Sequence, residues 1–333
     1  MGIKSLTQTI KKYSPDAITH ENLHKLSGKR VAVDASLIIY QQLMNQPGGR
    51  VFKNKDGKIT NHITGVFYKI MNYIALNIEL IFVFDGKPPE NKAICIAGRK
   101  ERAEKAKQLA ESTEDADKKS KLERSSMRLT KEMIYDVKHL LELLGVSYIH
   151  QEGEGEAIAS ELCRTGYVDY VLTEDMDTMA YACPRVIRNC IDKSLKRSDI
   201  VSIIDYDKVM EGINLSHDKF LDFCILCGCD YCETVSKVGS VTALKLVKKY
   251  DTIEDIVKNT KYEFPENYLD IFNNAKKNFY LFKDKLVIDE LKIYNSEKNI
   301  DELYKYLVED IQMSEKRVQN AIKKFHNNYK EKQ

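Results

Sequence analysis

The sequence predicts an α/β protein with a central, mostly parallel sheet flanked by helices. Three observations predict it. Apolar runs such as Ile81-Phe-Val-Phe84 are continuous rather than alternating, as strands buried on both faces require. They alternate with segments of helical period, as in residues 62–77 and 130–144. Three of the runs end in aspartate, which puts carboxylates in the crevice beyond the carboxyl ends of the strands, where open sheets bind ligands.

Taken in order, residues 1–28 are amphipathic and helix-like, with Pro15 as a break and Gly28 as the end. Lys29-Arg-Val-Ala-Val-Asp34 reads as the first strand, followed by a helix through Tyr40 and Leu43. Gln46-Pro-Gly-Gly49 and Asn54-Lys-Asp-Gly-Lys58 are turn-rich and read as a loop or hairpin. Residues 62–77 form a helix with Val66, Phe67, Ile70 and Ile74 on one face. Ile81 to Phe84 is the second strand and delivers Asp85; Gly86, Pro88 and Pro89 break it off, and Lys87 and Lys92 follow. Residues 90–131 are rich in Ala, Glu, Lys and Arg and read as helical, with few large apolar side chains. They form either a solvated helical pair laced by ion pairs or a basic arch through which a phosphate backbone passes.

Residues 130–144 are an amphipathic helix (Val137, Leu140, Leu141, Leu144) stopped by Gly145. A short strand at 147–150 leads into Gln151-Glu-Gly-Glu-Gly-Glu-Ala157 and a helix through Glu161. Tyr170 opens the third strand, which ends in Asp175 and Asp177, and 186–188 and 200–204 read as edge strands. From Asp218 the chain is helical, with Cys227-Gly-Cys-Asp-Tyr231 closing one helix, a turn at 235–239, and a second helix from Val241 to Tyr250. Residues 251–333 are helical and lysine-rich.

Composition sets the class. With 43% hydrophobic and 31% charged residues over 333 positions, the chain buries an ordinary globular core, and a formal net charge of +2 does not by itself mark a nucleic-acid binder. No apolar run reaches the roughly 18 residues of a membrane span, and the N-terminus lacks a signal-peptide core. The expectation is an intracellular protein without a membrane role, its eight cysteines reduced. Met1-Gly2 opens a myristoylation motif, but Leu6 stands where that motif needs Ser or Thr. Cys224, Cys227, Cys229 and Cys232 have the spacing of a zinc knuckle, yet Phe220-Leu-Asp-Phe-Cys-Ile-Leu-Cys227 reads as a buried helix, which favours structural thiols over a tetrahedral metal.

The chemistry is in the acids. Strand ends supply Asp34, Asp85, Asp175 and Asp177; a helix start supplies Glu154 and Glu156; Asp230 stands at a helix–turn junction. These are hard oxygen ligands, suited to Mg2+ or Mn2+, with no His or Cys among them to recruit zinc. So many carboxylates cannot share one crevice ionised without cations. Two divalent ions would neutralise them and serve an in-line phosphodiester displacement.

Met1-Gly-Ile-Lys-Ser-Leu6, Val33-Asp-Ala-Ser36 with Tyr40, Phe84-Asp-Gly-Lys-Pro-Pro89, Glu154-Gly-Glu-Ala157, Thr173-Glu-Asp-Met-Asp177 and Gly228-Cys-Asp-Tyr-Cys232 occur in this order and spacing. Over nearly its whole length the sequence resembles the XPG-type 5′ nuclease family of flap endonucleases. The resemblance implies a PIN-like 5′ nuclease fold as one domain over 1–333: an N-terminal region 1–105, an arch 90–131, an internal region 130–250 that includes a helix–two-turn–helix at 218–250, and a helical part 251–333. It makes the seven acids a two-ion Mg2+ set and gives Lys92 and Arg99 the role of steering the scissile phosphate, with Asp177 essential to catalysis and Arg102 a further arch contact. It implies that Tyr40 stacks on a base, that Gly2 stands close to the site once Met1 is removed, and that Thr60 and Lys69 surround the 3′ end of the upstream strand. DNA-facing roles likewise fall to Glu154, Gly228, Asp230, Lys237 and Lys245, the last two joined by Lys248 and Lys249 in gripping duplex backbone.

Two positions depart from the family's pattern. At the turn where the family holds a monovalent ion (K+), Ser236-Lys-Val-Gly-Ser240 keeps only Gly239 of Gly-x-Gly-Pro. Near Gly48-Gly49 a basic residue is replaced by Gln46 or Pro47, which weakens the expected grip on the 3′ flap side. The family's cellular members also bind a sliding clamp through a C-terminal tail for which the sequence shows no counterpart. The expected activity is that of a monomeric structure-specific 5′ flap endonuclease with 5′-3′ exonuclease activity, acting on branched DNA in the nucleus if the source is a cellular eukaryote and otherwise at the site of DNA replication. A junction or bubble nuclease, a catalytically impaired junction binder and a ribonuclease of the related PIN-like fold are the alternatives. The segment of roughly 40 residues between Asp85 and the next core helix weighs against the first, the complete set of acids against the second, and the turn-helix segment near 228–250 with the arch against the third.

Overall fold

The structure, a computed structural model, describes residues 2–45, 51–89, 92–195, 197–281 and 288–330, without the side chains of Ile94, Asp289 and 325–330. The expectations placed on Met1, Gln46, Pro47, Gly48, Gly49, Glu90 and Asn91 lie outside the described residues. The helices run, in chain order, α1 (Leu6–Tyr13), α2 (Ala35–Met44), α3 (Asn61–Ala75), α4 (Ala93–Glu111), α5 (Ala116–Ser126), α6 (Lys131–Leu144), α7 (Gly155–Arg164) and α8 (Asp177–Ala180). They continue as α9 (Tyr206–Ile213), α10 (His217–Cys227), α11 (Ser240–Lys249), α12 (Ile253–Asn259), α13 (Tyr268–Phe279), α14 (Ile300–Lys305) and α15 (Glu315–Lys330). The strands are β1 (Ile18–Asn22), β2 (Arg30–Asp34), β3 (Glu79–Phe84), β4 (Ser147–His150), β5 (Tyr170–Leu172), β6 (Arg185–Asn189), β7 (Ile200–Asp205) and β8 (Ile293–Tyr294).

The chain divides into two interleaved units. The first is built from Met1–Lys25, Asp85–Cys95 and Glu152–Leu291, the second from Leu26–Phe84, Ile96–Gln151 and Lys292–Gln333. In the second unit the strand order is β2-β3-β4-β8, with β2, β3 and β4 parallel and β8 antiparallel. Every residue of β3 from Leu80 to Phe84 is buried, which is why this strand carries no alternation. A fully buried side chain such as Phe82 or Phe84 contributes roughly 1.5–3 kcal/mol. Helices α2, α3 and α6 pack on one another, and α2 and α3 also pack on β3. Helix α6 starts where Thr130 Oγ1 accepts the Met133 N–H at 3.2 Å, and it stops at Gly145, whose φ of +67° suits glycine.

In the first unit the order is β1-β7-β6-β5. Strands β5 and β6 are parallel, and β7 and β1 are antiparallel to their neighbours. Helix α10 packs against α8, α11 and α13, and α7 against α8 and β5.

The strands are thus mixed in direction, parallel where they deliver the acids and antiparallel at β8, β7 and β1. Three local readings are corrected. Residues 18–22, read as part of an amphipathic helical stretch, form β1, because five backbone positions pair with β7 from Ile18 opposite Ile204 to Asn22 opposite Ile200. Strands β6 and β7 are not edges of the first unit's sheet: β6 lies between β5 and β7, and β7 between β6 and β1. The helical C-terminal part contains the two-residue β8, which pairs with Tyr148 and Ile149. Residues 93–111 and 116–126 are helical, with a break at 112–115, and α5 buries none of its side chains.

Candidate metal centre

Every element of the acidic cluster described next lies in the first unit. The loop after β3 brings Asp85 to the start of α7, where its Oδ1 accepts the Gly155 N–H at 2.8 Å. The Gly86 N–H donates to the Gly153 carbonyl at 2.9 Å, so the two segments are held by backbone as well. Glu154 is the N-cap of α7 and Glu156 lies in its first turn. The turn after β5 is wound on its own side chains. Thr173 Oγ1 accepts the Asp175 N–H at 3.0 Å, Asp175 Oδ1 accepts the Asp177 N–H at 3.2 Å, and the Thr178 hydroxyl donates to the Asp175 carbonyl. Asp230 follows the end of α10, where Gly228 turns the chain at φ +94°.

This folding gathers Glu156, Asp175 and Asp177 so that one carboxylate oxygen from each lies within 4.8 Å of the others. Asp175 and Asp177 are each 5% exposed and Glu154 7%. Burial, then the facing carboxylates, push the Asp177 carboxyl well above the usual range. Burial raises Asp175 and Glu154 as well, against the pull of Lys92. Among the described residues, Oδ1 of Asp177 and Oε1 of Glu154 are buried without a hydrogen-bond partner. Orphaned carboxylate oxygens of this kind are costly in a protein interior and fit a divalent cation. The donor set is all oxygen and fits Mg2+ or Mn2+.

Lys92 is the organic cation of the cluster. Its Nζ donates to Glu154 Oε2 at 2.5 Å and lies 3.3 Å from Asp230 Oδ2 and 5.9 Å from the centre of the Tyr231 ring. Burial works against its charge, yet Glu154, Tyr231, Glu156 and Asp230 together hold the ammonium above its ordinary range. The Cys95 thiol sits 3.6 Å from Asp230 Oδ1, and the Tyr231 and Tyr181 hydroxyls bond at 2.8 Å.

The N-terminal segment closes onto the same place. A Cβ on Gly2 would fall 1.9 Å from Asp175 Oδ1 and 2.7 Å from Asp177 Oδ1, so only glycine fits there, at φ +73°. The segment is pinned by the Lys4 N–H on the Gly228 carbonyl at 3.3 Å and by the Lys4 ammonium on Thr234 Oγ1 at 2.7 Å.

Comparison with known proteins places this arrangement. Residues 1–106 match the XPG N-terminal domain and residues 145–230 the XPG I-region. The sequence is 36% identical to "Flap endonuclease 1" of Meyerozyma guilliermondii over 97% of this chain and 89% of that protein. The chain belongs to the flap endonuclease family. Its fold resembles that of the flap endonuclease-1 from Methanococcus jannaschii, with a TM-score of 0.70 at 29% identity over 96% of this chain and 98% of the other. The same fold occurs in the catalytic core of Rad2 in complex with DNA substrate, with a TM-score of 0.70 at 20% identity over 97% of this chain and 100% of the other.

The remaining positions that the flap endonuclease pattern singles out lie as follows. In the second unit, Asp34 ends β2, is 5% exposed, and caps α2 by accepting the Leu37 N–H at 3.0 Å. Tyr40 is half-buried on α2, Thr60 is buried at the start of α3, and Lys69 is half-buried along α3. Arg99 and Arg102 are exposed on α4, where the Arg102 Nε–H donates to the Gly98 carbonyl at 3.1 Å. In the first unit, α10 and α11, which span the segment read as a helix–two-turn–helix, pack together. Lys245, Lys248 and Lys249 are exposed at helical spacing on α11, and Lys237 is exposed in the turn at φ +63°. The four cysteines at 224–232 are free thiols, and burial pushes Cys227 up to about 12 and Cys232 to about 11. No described helix is long and apolar enough to cross a membrane. Sequence reading gave no role to Arg188 and Tyr181, which stand in none of the quoted motifs, or to Glu174, which lies inside Thr173-Glu-Asp-Met-Asp177 between the residues read as ligands.

Proposed function

We propose that the chain is a Mg2+-dependent, structure-specific endodeoxyribonuclease that hydrolyses a phosphodiester near the junction of single- and double-stranded DNA in 5′ flaps. It also acts as a 5′-3′ exonuclease at nicks and gaps. The observation that carries the reading is the convergence of Glu156, Asp175 and Asp177 beside the orphaned oxygens of Asp177 and Glu154. Glu154, Glu156, Asp175, Asp177, Asp85 and Asp230 hold the metal, and Asp34 joins the set on its sequence motif. The number of acids supports two ions, with Mn2+ able to replace Mg2+. When bound, such cations supply Lewis acidity at the phosphate and a lowered pKa for water. The chain's own residues do the rest. Lys92 sets a fixed cation among the carboxylates, a suitable partner for charge developing on a phosphate. Gly2 leaves the backbone close to the acids without a side chain in the way.

Arg99 and Arg102 contact the phosphate of the 5′ strand, Tyr40 stacks on a base, and Thr60 and Lys69 serve the 3′ end. Lys237 and Lys245 hold duplex backbone, so that shape rather than sequence is recognised. The site of action is that of DNA replication and repair, the nucleus in a eukaryotic cell. The test compares end-labelled 5′-flap, bubble, four-way and nicked duplexes with and without Mg2+, using the chain and its Asp177→Ala variant. Flap cleavage that needs Mg2+ and is abolished in the variant, with flap binding retained, is expected. Undiminished Mg2+-dependent cleavage by Asp177→Ala would overturn the assignment.

A further inference from the structure

Arg188 stands on β6, which lies between two other strands, and its side chain is 13% exposed. Its guanidinium reaches three things at once. Nε and Nη2 donate to Glu174 Oε2 at 3.2 and 3.1 Å. Nη1 donates to Thr7 Oγ1 on α1 at 2.8 Å and lies 3.0 Å from Met176 Sδ. The other oxygen of Glu174 accepts the Asn189 N–H at 2.6 Å, so the carboxylate is anchored to β6 twice. Glu174 and Met176 are the two neighbours of Asp175, and α1 begins four residues after Gly2, whose backbone stands against Asp175 and Asp177.

We propose that Arg188 is a positioning residue for the metal centre. It locks both flanks of Asp175 and the N-terminal helix to one interior strand, and so holds the Asp175–Asp177 turn and the Gly2 backbone in register. The inference rests on the reading of Asp175 and Asp177 as metal ligands. A mere stabilising ion pair would need Glu174 alone; the bonds to Thr7 and toward Met176 use the rest of the planar fork, and a lysine ammonium cannot reproduce that geometry. Groups that orient ligands from behind commonly change metal affinity or activity by about 10–100-fold when removed.

The decisive variants are Arg188→Lys and Thr7→Val in the full chain, read by Mn2+ binding through the electron paramagnetic resonance of free Mn2+. The Mg2+ concentration for half-maximal single-turnover flap cleavage is the second readout. Arg188→Lys is expected to weaken Mn2+ binding by about tenfold and to raise the Mg2+ requirement in parallel, with flap affinity in EDTA unchanged. Thr7→Val, which cuts only the tie to α1, is expected to shift both readouts in the same direction by a smaller factor. Unchanged Mn2+ affinity in Arg188→Lys, whatever happens to its melting temperature, would sink the proposal. Should Arg188→Lys fail to fold, unchanged readouts in Thr7→Val would do the same. Asp177→Ala serves as the reference: if it keeps full Mn2+ binding, the metal reading fails, whereas loss there beside an unaltered Arg188→Lys rejects the positioning role alone.

Discussion

At the scale of single residues, Asp177 shows an acid whose charged form is held against the preference of the fold. Burial and the charges of Asp175 and Asp230 raise its carboxyl above the usual range in the folded chain. A carboxyl raised on folding favours the fold while protonated. That contribution is complete below the ordinary carboxylate range and is lost as pH climbs through the raised folded value. Asp177→Asn, which resembles the protonated acid, is therefore expected to melt higher than the parent chain in EDTA. The gap should widen from acidic to neutral pH, while cleavage is lost. Thermal melts across that pH range check it; a gap that shrinks with rising pH would contradict the assignment. Lys92 makes a related point. Its sequence position raises the expectation of a cation for phosphate, and the folded chain pairs it with Glu154 and Asp230. No sequence spacing displays that pairing, since Lys92 and Glu154 are 62 positions apart.

At the scale of elements, the helices were legible wherever an apolar face repeats, as on α3 and α6, and the parallel strands wherever an apolar run is continuous. Strand β1, Ile-Thr-His-Glu-Asn, has neither pattern. Its strand form comes from the ladder with β7, a long-range pairing that local sequence does not encode. Helix α11 was legible and carries a prediction. Lys245 is exposed on it, and under the proposed duplex contact Lys245→Ala should weaken flap binding evenly across DNA sequences. It should also lower the slope of log affinity against log salt by about 1. A salt titration of binding in the presence of Ca2+ measures this, and an unaltered slope removes Lys245 from the interface.

At the scale of the molecule, the cluster of Asp85, Glu154, Glu156, Asp175, Asp177 and Asp230 belongs to a unit assembled from three separated stretches of chain, Met1–Lys25, Asp85–Cys95 and Glu152–Leu291. Cations that bind these carboxylates only when they are gathered must stabilise the fold by mass action. At a free concentration 100 times the dissociation constant, the gain is about 2.7 kcal/mol per site. Mn2+ or Ca2+ should raise the melting temperature of the chain progressively with concentration, and the rise should be largely absent in Asp177→Asn. A melting temperature indifferent to both ions would count against the cluster as a metal centre.

The sequence by itself determined the kind of donor and the family. Carboxylates at strand ends and a helix start, without histidine or cysteine among them, offer only hard oxygen donors, the kind that Mg2+ or Mn2+ takes. Motif order then placed the chain in its family. Only the tertiary structure decided what surrounds those acids: the glycine at position 2 against Asp175, the lysine between Glu154 and Asp230, and the arginine of β6 behind the Asp175 turn. The reason is physical. A residue's chemistry is local to its side chain, whereas burial, electrostatic neighbours and close approach exist only between segments far apart in sequence.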